Sequence, residues 1–341
     1  ALVVEGPAKL NGCVKISGAK NAALPILAAT ILSESEVMLS NIPDLRDVST
    51  IIELLSDLGS RVTFCEDRMI KFVQEDIKRH LVSFELVKKM RASILVLGPL
   101  LARFGKAVLA LPGGCAIGSR PIDIHLDGLI KMGASLTEIN GYVYAQVDGK
   151  LQGADIDCHT ASVTATENLI MAATLAEGVT RINNAACEPE VVDLGNFLIF
   201  LGAKISGLGT SNIKIEGVKK LGCKKHAIYN IIPDRIEAGT YLAAAAITSG
   251  KVHLKGVRVD HLGAVLQLLH KAGANNIETI GTDQVIFDAT VIKLGAIDFG
   301  TEVYPGLPTD MQAQLMSLNL VGEGVSEISE NIFENRYMHV P

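Results

Sequence analysis

The sequence predicts an α/β fold of two domains, each assembled from copies of one βαβαββ unit. Two repeating patterns predict this fold. The first is a helix that stops at a glycine in Leu-Gly-Ala or a close variant, and the second is an alanine-rich apolar helix followed by a short turn and an alternating strand. A chain of 341 residues is long enough for two domains of ordinary size.

The Leu-Gly-Ala pattern recurs at intervals of about seventy residues, which is the signature of a repeated structural unit. Its glycines are Gly59, Gly133, Gly202 and Gly273. Each follows an apolar stripe at helical spacing, and glycine is the residue that most readily ends a helix. Two strand patterns follow each stop, as at 204–206 and 212–216 or at 276–279 and 284–288. These segments supply the second helix and the hairpin of each unit.

The second pattern supplies the first helix and the central strand of each unit. It covers 24–41, 94–111, 169–183, 241–254 and 311–328. Helices that are apolar on nearly every face need neighbours on all sides, so we expect several copies around one axis, with helices inside and sheets outside. The chain holds four full units and begins a fifth, so we expect about one and a third further repeats after residue 341.

Composition narrows the possible functions. Hydrophobic residues make up 48% and charged residues 20%, which predicts a large core, and the net charge of −6 argues against nucleic-acid binding. Six scattered cysteines indicate free thiols in a reducing compartment, and no histidine spacing indicates a metal site. Since no apolar stretch reaches the length of a membrane span and the N-terminus has no signal-peptide core, we expect a soluble cytoplasmic protein.

A glycine-rich stretch at 111–125 is the strongest local candidate for a functional site. It reads Leu-Pro-Gly-Gly-Cys-Ala-Ile-Gly-Ser-Arg-Pro-Ile-Asp-Ile-His and places the thiol of Cys115 five residues before Arg120. Nearby positive charge lowers the pKa of a thiol and makes it reactive. Considered alone, the stretch fits a surface loop with an inert cysteine more often than a catalytic loop, because most free cysteines are simply buried.

Six sequence blocks together are far more specific than any one of them. They are Ser-Gly-Ala-Lys-Asn-Ala-Ala-Leu-Pro at 17–25, Met-Arg-Ala-Ser at 90–93, the stretch at 111–125, Pro-Asp-Arg-Ile-Glu-Ala-Gly at 233–239, Pro-Thr-Asp-Met-Gln-Ala-Gln at 308–314 and Asn-Ile-Phe-Glu-Asn-Arg-Tyr-Met-His at 331–339. With these blocks in this order, the chain resembles the enolpyruvyl transferases from residue 2 to residue 341, and among them those that act on UDP-N-acetylglucosamine. The resemblance implies two inside-out α/β barrels: a cysteine-loop domain of three repeats at 18–228, and a second domain that combines 1–17 with 229–341.

The resemblance also implies a reaction. An enolpyruvyl group would pass from phosphoenolpyruvate to the 3-hydroxyl of UDP-N-acetylglucosamine with release of phosphate, the first committed step of peptidoglycan synthesis, on which cell shape and cell division depend. This chemistry needs an acid, a base and several cations, but no cofactor and no metal. Cys115 would be the general acid. Asp310 would face the 3-hydroxyl as base or orienting group, whereas from its local sequence alone we expect a helix N-cap.

Substrate-binding residues follow from the same resemblance. Lys20, Asn21, Arg91 and Arg120 would bind phosphoenolpyruvate, although Lys20 and Arg91 alone also fit solvent-exposed charges near helix ends. UDP-N-acetylglucosamine would contact Arg120, Pro121, Ile122, Asp123, Ile124, Thr160, Ser162, Val163, Thr164, Asp310 and Ile332. Relatives commonly carry a basic residue at the position of Thr160 and a glycine at that of Thr164, so side chains here could narrow the pocket.

Two alternative functions stay open. A shikimate-pathway enolpyruvyl transferase would have the same fold and would also use phosphoenolpyruvate, although the thiol stretch and the block at 331–339 argue against it. A non-catalytic repeat scaffold could be built from the same units, because a fold does not determine a function. Asp234, Arg235 and Arg336 are further candidates for positions near the substrates or at a hinge.

Overall fold

The structure is a computed structural model that describes residues 3, 5–66, 69–74, 77, 80–82, 84–110 and 122–341, with backbone only at residues 86, 88, 89 and 91. The described chain forms two compact units. We call residues 18–110 and 122–232 the inserted unit, and the described residues of 3–17 together with 233–341 the flanking unit. Within the described residues, every helix is too short or too polar to cross a lipid bilayer.

The regular elements follow each other in the order expected for repeated units. The strands are β1 (Asn11–Lys15), β2 (Val37–Ser40), β3 (Arg61–Phe64), β4 (Ile70–Val73), β5 (Leu81–Val82), β6 (Lys106–Ala110), β7 (Ser135–Ile139), β8 (Tyr142–Gln146), β9 (Asp155–Asp157), β10 (Val179–Asn183), β11 (Lys204–Ser206), β12 (Asn212–Glu216), β13 (Ile228–Asn230), β14 (Lys251–Lys255), β15 (Ile277–Ile280), β16 (Gln284–Asp288), β17 (Phe299–Gly300) and β18 (Ile328–Ser329). The α-helices are α1 (Lys20–Ala29), α2 (Arg46–Leu58), α3 (Phe84–Lys89), α4 (Leu97–Phe104), α5 (Asp123–Lys131), α6 (Val163–Ala173), α7 (Pro189–Phe200), α8 (Arg235–Ile247), α9 (Gly263–Lys271) and α10 (Gln312–Asn319). Short 3-10 helices span Thr30–Leu32, Arg91–Val96, Val259–His261 and Thr309–Met311.

Four sheets share one topology, as repeats of one unit require. In the inserted unit the strand orders are β13-β2-β4-β3, β5-β6-β8-β7 and β9-β10-β12-β11, and in the flanking unit the order is β1-β14-β16-β15. In each sheet the first strand runs parallel to the second, and the last two strands form an antiparallel hairpin. Strands β17 and β18 form a further parallel pair, with Phe299 opposite Ile328.

The first helices of the repeats form the centre of the inserted unit. Every residue of α1 from Ala22 to Ala29 is buried, and so is every residue of α6 from Ala165 to Ala173. Both α1 and α4 pack against α6. The strands, in contrast, bury only alternate residues, as in β12, so each sheet keeps a face towards solvent. Burying one leucine or isoleucine side chain contributes about 1.5–3 kcal/mol, so these helices carry much of the hydrophobic stabilisation.

The predicted helix stops are confirmed. Gly59, which follows α2, has a φ of 113°, and the glycines of the other three stops have φ values of 91°, 102° and 98°. Glycine alone adopts such angles without strain, which is why the pattern is visible in the sequence. The strands predicted at 204–206 and 212–216 form β11 and β12 with those bounds.

The chain passes between the two units at two neighbouring places. The Ala19 N–H donates to the Ile232 carbonyl at 2.8 Å within the inserted unit, and the Asp234 N–H donates to the Ser17 carbonyl at 2.9 Å within the flanking unit. The domain boundary expected at 228/229 is displaced, because it falls inside β13, which pairs with β2. The division in the structure lies after Ile232 instead.

Candidate active site

Lys20 is the first residue of α1. Its Nζ lies 3.9 Å from Oδ2 of Asp47 on α2, and both side chains are about half exposed. Asn21 follows in the same turn, where the helix dipole adds to the lysine charge and favours an anion. The approach to this turn requires Gly18, because a Cβ there would overlap the carbonyl oxygen of Asn41.

The first turns of α5 and α6 bring together several residues predicted to bind the nucleotide sugar. Helix α5 begins at Asp123, and α6 begins at Val163 after Ser162, whose hydroxyl accepts a hydrogen bond from the Ala165 N–H at 3.4 Å. Oδ2 of Asp123 lies 3.4 Å from Nε2 of His159, in the segment that leads into α6. The two turns are therefore neighbours.

A cavity of about 250 Å³ lies beside these turns in the inserted unit. Its walls include Ile124 and Lys131 of α5, Asp157 at the end of β9, and His159. Apolar and charged groups thus face the same space. Of the other predicted contacts, Ile122 precedes α5 and is half-buried, and Thr160 is exposed.

A buried polar network joins α4, α5 and α6. Asn168 accepts a hydrogen bond from the Gly98 N–H at 2.7 Å and, through Nδ2, donates to the Ile94 carbonyl at 3.1 Å. The same Nδ2 lies 3.0 Å from Nδ1 of His125, and Nε2 of His125 lies 3.4 Å from Oγ1 of Thr164. Burial lowers the pKa of His125 to about 4, so its ring is neutral at neutral pH.

Asp310 lies in the 3-10 helix Thr309–Met311 of the flanking unit. Its Oδ1 accepts a hydrogen bond from Nη2 of Arg336 at 2.7 Å. The predicted N-cap role is wrong, because neither this 3-10 helix nor α10 has a side-chain cap. The carboxylate instead forms an ion pair with a residue of the block at 331–339.

Glu330 makes a second connection between these blocks. Its Oε2 accepts a hydrogen bond from the Thr309 hydroxyl at 3.0 Å. Its Oε1 accepts from the N–H groups of Ile332 and Phe333 at 2.9 and 3.1 Å. The blocks 308–314 and 331–339 therefore form one local structure, which places Ile332 next to the turn that carries Asp310.

Asp234 and Arg235 begin α8 in the flanking unit. Oδ1 of Asp234 accepts from the N–H groups of Ile236 and Glu237 at 2.8 and 3.1 Å, so Asp234 is the N-cap. The Arg235 guanidinium lies over the ring of Tyr304, 5.5 Å from its centroid. Both residues therefore have structural partners within their own unit.

The remaining predicted site residues lie outside the described part of the structure. These are Cys115, Arg120 and Pro121 and, for its side chain only, Arg91. The backbone of Arg91 begins the 3-10 helix Arg91–Val96. The roles assigned to these four residues stay predictions.

Three polar residues of the inserted unit, His125, Glu167 and Asn168, were not predicted from the sequence. Glu167 is 1% exposed, and burial together with Glu190 and Glu188 raises its pKa well above its ordinary value. The available signal was two adjacent polar residues, Glu167 and Asn168, directly before the apolar run that begins at Leu169. Such residues are buried only when they have a structural or functional reason.

Known proteins resemble this chain over nearly its whole length. The family profile of EPSP synthase (3-phosphoshikimate 1-carboxyvinyltransferase) matches residues 4–341. A UDP-N-acetylglucosamine 1-carboxyvinyltransferase from Coxiella burnetii is 56% identical over 339 residues, which cover 99% of this chain and 77% of that relative. A protein of the same name from Hydrogenovibrio crunogenus is 52% identical and covers 99% of this chain and 80% of its own length.

Solved structures resemble the chain in fold. The enolpyruvyl transferase NikO from Streptomyces tendae superposes with a TM-score of 0.82 at 22% identity, over 95% of this chain and 76% of that one. EPSP synthase from Acinetobacter baumannii superposes with a TM-score of 0.66 at 18% identity, over 92% and 70%. The predicted fold class is confirmed by this likeness.

Proposed function

Since this chain belongs to the EPSP synthase family of enolpyruvyl transferases, we propose that it transfers the enolpyruvyl group of phosphoenolpyruvate to the 3-hydroxyl of UDP-N-acetylglucosamine. The observation that carries the proposal is the 56% identity, over 99% of the chain, to a relative named for that reaction. The reaction belongs to peptidoglycan synthesis, and we expect it in the cytoplasm.

We assign the removal of the 3-hydroxyl proton of the sugar to the carboxylate of Asp310. The hydrogen bond from Arg336 at 2.7 Å orients its carboxylate, and the bond from Thr309 to Glu330 at 3.0 Å holds the turn. As the carboxylate takes the proton, the sugar oxygen forms a bond to C2 of phosphoenolpyruvate. Cys115 would donate a proton to the methylene carbon, which produces a tetrahedral intermediate. The methyl carbon formed in this way then loses a proton while the C–O bond between C2 and the phosphate group breaks, which leaves the enol ether and inorganic phosphate.

We assign phosphoenolpyruvate to Lys20, Asn21, Arg91 and Arg120. The positions of Lys20 and Asn21 in the first turn of α1 support this, because a helix amino end and a lysine both favour an anion. We assign binding of the nucleotide sugar to Arg120, Pro121, Ile122, Asp123, Ile124, Thr160, Ser162, Val163, Thr164, Asp310 and Ile332. The neighbouring first turns of α5 and α6 support this assignment, because they bring several of these residues together.

Phosphate release tests the proposed reaction. The protein should release phosphate from phosphoenolpyruvate when UDP-N-acetylglucosamine is present and should release none with either substrate alone. Shikimate 3-phosphate in place of the nucleotide sugar is the matched control and should give no release. Release that depends on shikimate 3-phosphate instead would replace the proposal with the shikimate-pathway reaction.

Thiol reactivity tests the assigned acid and separates the enzyme from a repeat scaffold. An epoxide phosphonate should alkylate Cys115 faster than the other five cysteines, and UDP-N-acetylglucosamine should accelerate the reaction. Burial raises the pKa of the Cys158 and Cys187 thiols, which disfavours their thiolates, so both serve as internal controls. Uniform alkylation of all six cysteines would favour the scaffold.

A further inference from the structure

Four lysines of the inserted unit lie in the short segment that joins β12 to β13. They are Lys219, Lys220, Lys224 and Lys225, and all four are exposed. We call residues 217–227 the lysine loop. It contains no aspartate or glutamate, so its four lysines give it a formal charge of +4 on a chain whose net charge is −6. The local charge is therefore opposite in sign to that of the whole protein.

Packing fixes the backbone of the lysine loop between the two lysine pairs. Leu221 is 1% exposed, and its carbonyl accepts a hydrogen bond from the Glu34 N–H at 2.9 Å. The Cys223 N–H donates to Oγ of Ser35 at 2.9 Å. Both contacts are made to the segment before β2. The lysine side chains therefore extend into solvent from a backbone that is held in place.

The acids that border the loop already have other cationic partners. Oε1 of Glu216, directly before the loop, lies 2.9 Å from Nζ of Lys214. Oε2 of Glu36, whose carbonyl oxygen accepts from the Cys223 thiol, lies 3.4 Å from Nζ of Lys71. In the part of the chain that the structure describes, the four lysines of the loop form no ion pair. Like charges held together repel one another, so an anionic partner would relieve this repulsion.

The residue types of the loop favour a lipid surface over other polyanions. Protein interfaces are depleted of lysine and use aromatic residues and arginine as anchors. Nucleic-acid recognition uses the planar fork of arginine and aromatic rings on which bases stack. The loop contains no arginine, phenylalanine, tyrosine or tryptophan. A layer of anionic headgroups requires only positive charges on flexible side chains, which lysine supplies.

An exposed apolar side chain lies directly after the loop. Ile228 is the first residue of β13 and is 47% exposed. The ring of the next residue, Tyr229, packs edge-on against Phe197, 5.2 Å between centroids. Because successive side chains of a strand point to opposite faces, Ile228 faces away from this packing. An apolar side chain beside lysines can enter the headgroup region of a bilayer.

We propose that the lysine loop is a docking surface for a bilayer that contains anionic phospholipids. The proposal goes beyond the proposed function and does not depend on it. Four lysines near such a surface supply enough attraction for reversible binding, half-complete at on the order of 1 mM accessible lipid. Because the lysines are exposed, salt should screen this attraction.

Vesicle sedimentation tests the proposal. The protein should co-sediment with phosphatidylcholine vesicles that contain about 40% phosphatidylglycerol, in about 0.05 M salt. It should not co-sediment with vesicles of phosphatidylcholine alone, nor with the anionic vesicles in about 0.5 M salt. Absence of binding to the anionic vesicles, or equal binding to the neutral ones, would overturn the proposal.

Double substitutions identify the surface. Lys219→Gln with Lys220→Gln, and Lys224→Gln with Lys225→Gln, should each weaken binding by about 30-fold, since each lysine contributes about fivefold. All four side chains are exposed, so the urea midpoint of unfolding should stay that of the unmodified protein.

The matched control is a double substitution in the flanking unit. Lys251→Gln with Lys271→Gln removes the same charge from two exposed lysines and should weaken binding less than about twofold. Equal losses in the control and the loop variants would mean that binding follows net charge alone, and would overturn the proposal.

Two further probes separate the lipid surface from other polyanions. Duplex DNA and polyglutamate should bind more weakly than the anionic vesicles at the same salt concentration. Tighter binding of either probe, lost in the loop variants, would replace the bilayer with a nucleic acid or an acidic protein. Phosphate release does not depend on any of these outcomes, so the docking surface and the proposed function fail separately.

Discussion

The two units hold their candidate residues by different kinds of interaction. In the inserted unit, Asn168, His125 and Thr164 form a neutral chain whose first two members are fully buried. In the flanking unit, Asp310 and Arg336 form a charged pair whose side chains are 38% and 21% exposed. A buried neutral bond contributes to stability because its loss leaves an unsatisfied group, whereas a partly exposed ion pair contributes little to stability but keeps a charge ready for chemistry. Substitutions in this neutral chain of the inserted unit should therefore mainly lower stability, whereas substitution of Asp310 in the flanking unit should mainly lower activity.

The largest effect is expected from Asp310→Asn. An amide cannot take the hydroxyl proton, so kcat should fall by about 10²–10⁴-fold, the usual contribution of a general base. The free energy of unfolding should change by less than about 1 kcal/mol, because the pair with Arg336 is partly exposed. Steady-state kinetics and urea unfolding measure the two quantities.

Asp260→Asn is the matched control for this substitution. Asp260 accepts two hydrogen bonds from Arg258, at 2.9 and 2.7 Å, so the flanking unit contains a second aspartate–arginine pair. Its substitution should leave kcat unchanged. Equal losses in both variants would mean that the charge of Asp310 acts only on the fold.

Asn168→Ala should have the next largest effect, this time on stability. It leaves the Gly98 N–H, the Ile94 carbonyl and His125 without their partner, which should lower the free energy of unfolding by about 2–4 kcal/mol. Asn183→Ala is the control, because Asn183 donates to Asp157 at 2.6 Å on an exposed surface and should cost less than about 0.5 kcal/mol. Equal losses would erase the contrast between buried and exposed bonds.

The pH dependence of stability sharpens the comparison within the inserted unit. Burial lowers the pKa of His125 to about 4, so its stabilising neutral form is lost as pH falls from its ordinary pKa of 6.5 towards 4. Burial raises the pKa of Glu167, so its stabilising protonated form is complete below its ordinary pKa of 4.5, and the stabilisation is lost as pH rises above that. The two effects therefore oppose each other as pH rises above 4.5.

Substituting one of these two residues should reveal how the other makes the free energy of unfolding depend on pH. In Glu167→Gln, stability should rise by about 2 kcal/mol as pH increases from 5 to 6.5, because only the His125 effect remains, and in His125→Gln it should fall with rising pH. Urea unfolding at several pH values measures both slopes. Two slopes of the same sign would contradict the assignment of one of the protonation states.

The smallest effect is expected from Glu330→Gln in the flanking unit. The amide oxygen can still accept from the Ile332 and Phe333 N–H groups, so only the bond from the Thr309 hydroxyl changes. The free energy of unfolding should fall by about 0.5–1 kcal/mol. A loss above about 2 kcal/mol would show that the charge itself, and not the hydrogen bonds, holds this turn.

The sequence predicted the parts of the fold that local physics determines. Glycine stops are visible because glycine alone tolerates their backbone angles, and β11, β12 and β16 are visible because alternate residues face the core. The boundary after Ile232 was missed because the pairing of β13 with β2 joins residues nearly two hundred positions apart. No local pattern reports such a pairing.

The site was predictable to the same limited extent. Asp310 was found, but its surroundings were misjudged, because an N-cap is a local expectation and the partner Arg336 is distant in sequence. The blocks at 17–25, 111–125 and 308–314 were visible because rare residues stand in a recognisable order. Asn168 and His125 were missed, since their importance depends on backbone groups of another helix.

The inserted unit begins and ends at neighbouring points of the chain, at 17–19 and 231–234, as a domain inserted into another domain does. Because the Ala19 N–H bonds the Ile232 carbonyl at 2.8 Å, the two ends of that unit lie side by side. A gene could therefore lose the inserted unit by a single excision and rejoin Ser17 to Pro233 across a short gap, and a few added residues could link 18 to 232 into a circular permutant. Neighbouring termini of this kind are what makes domains easy to transplant during evolution.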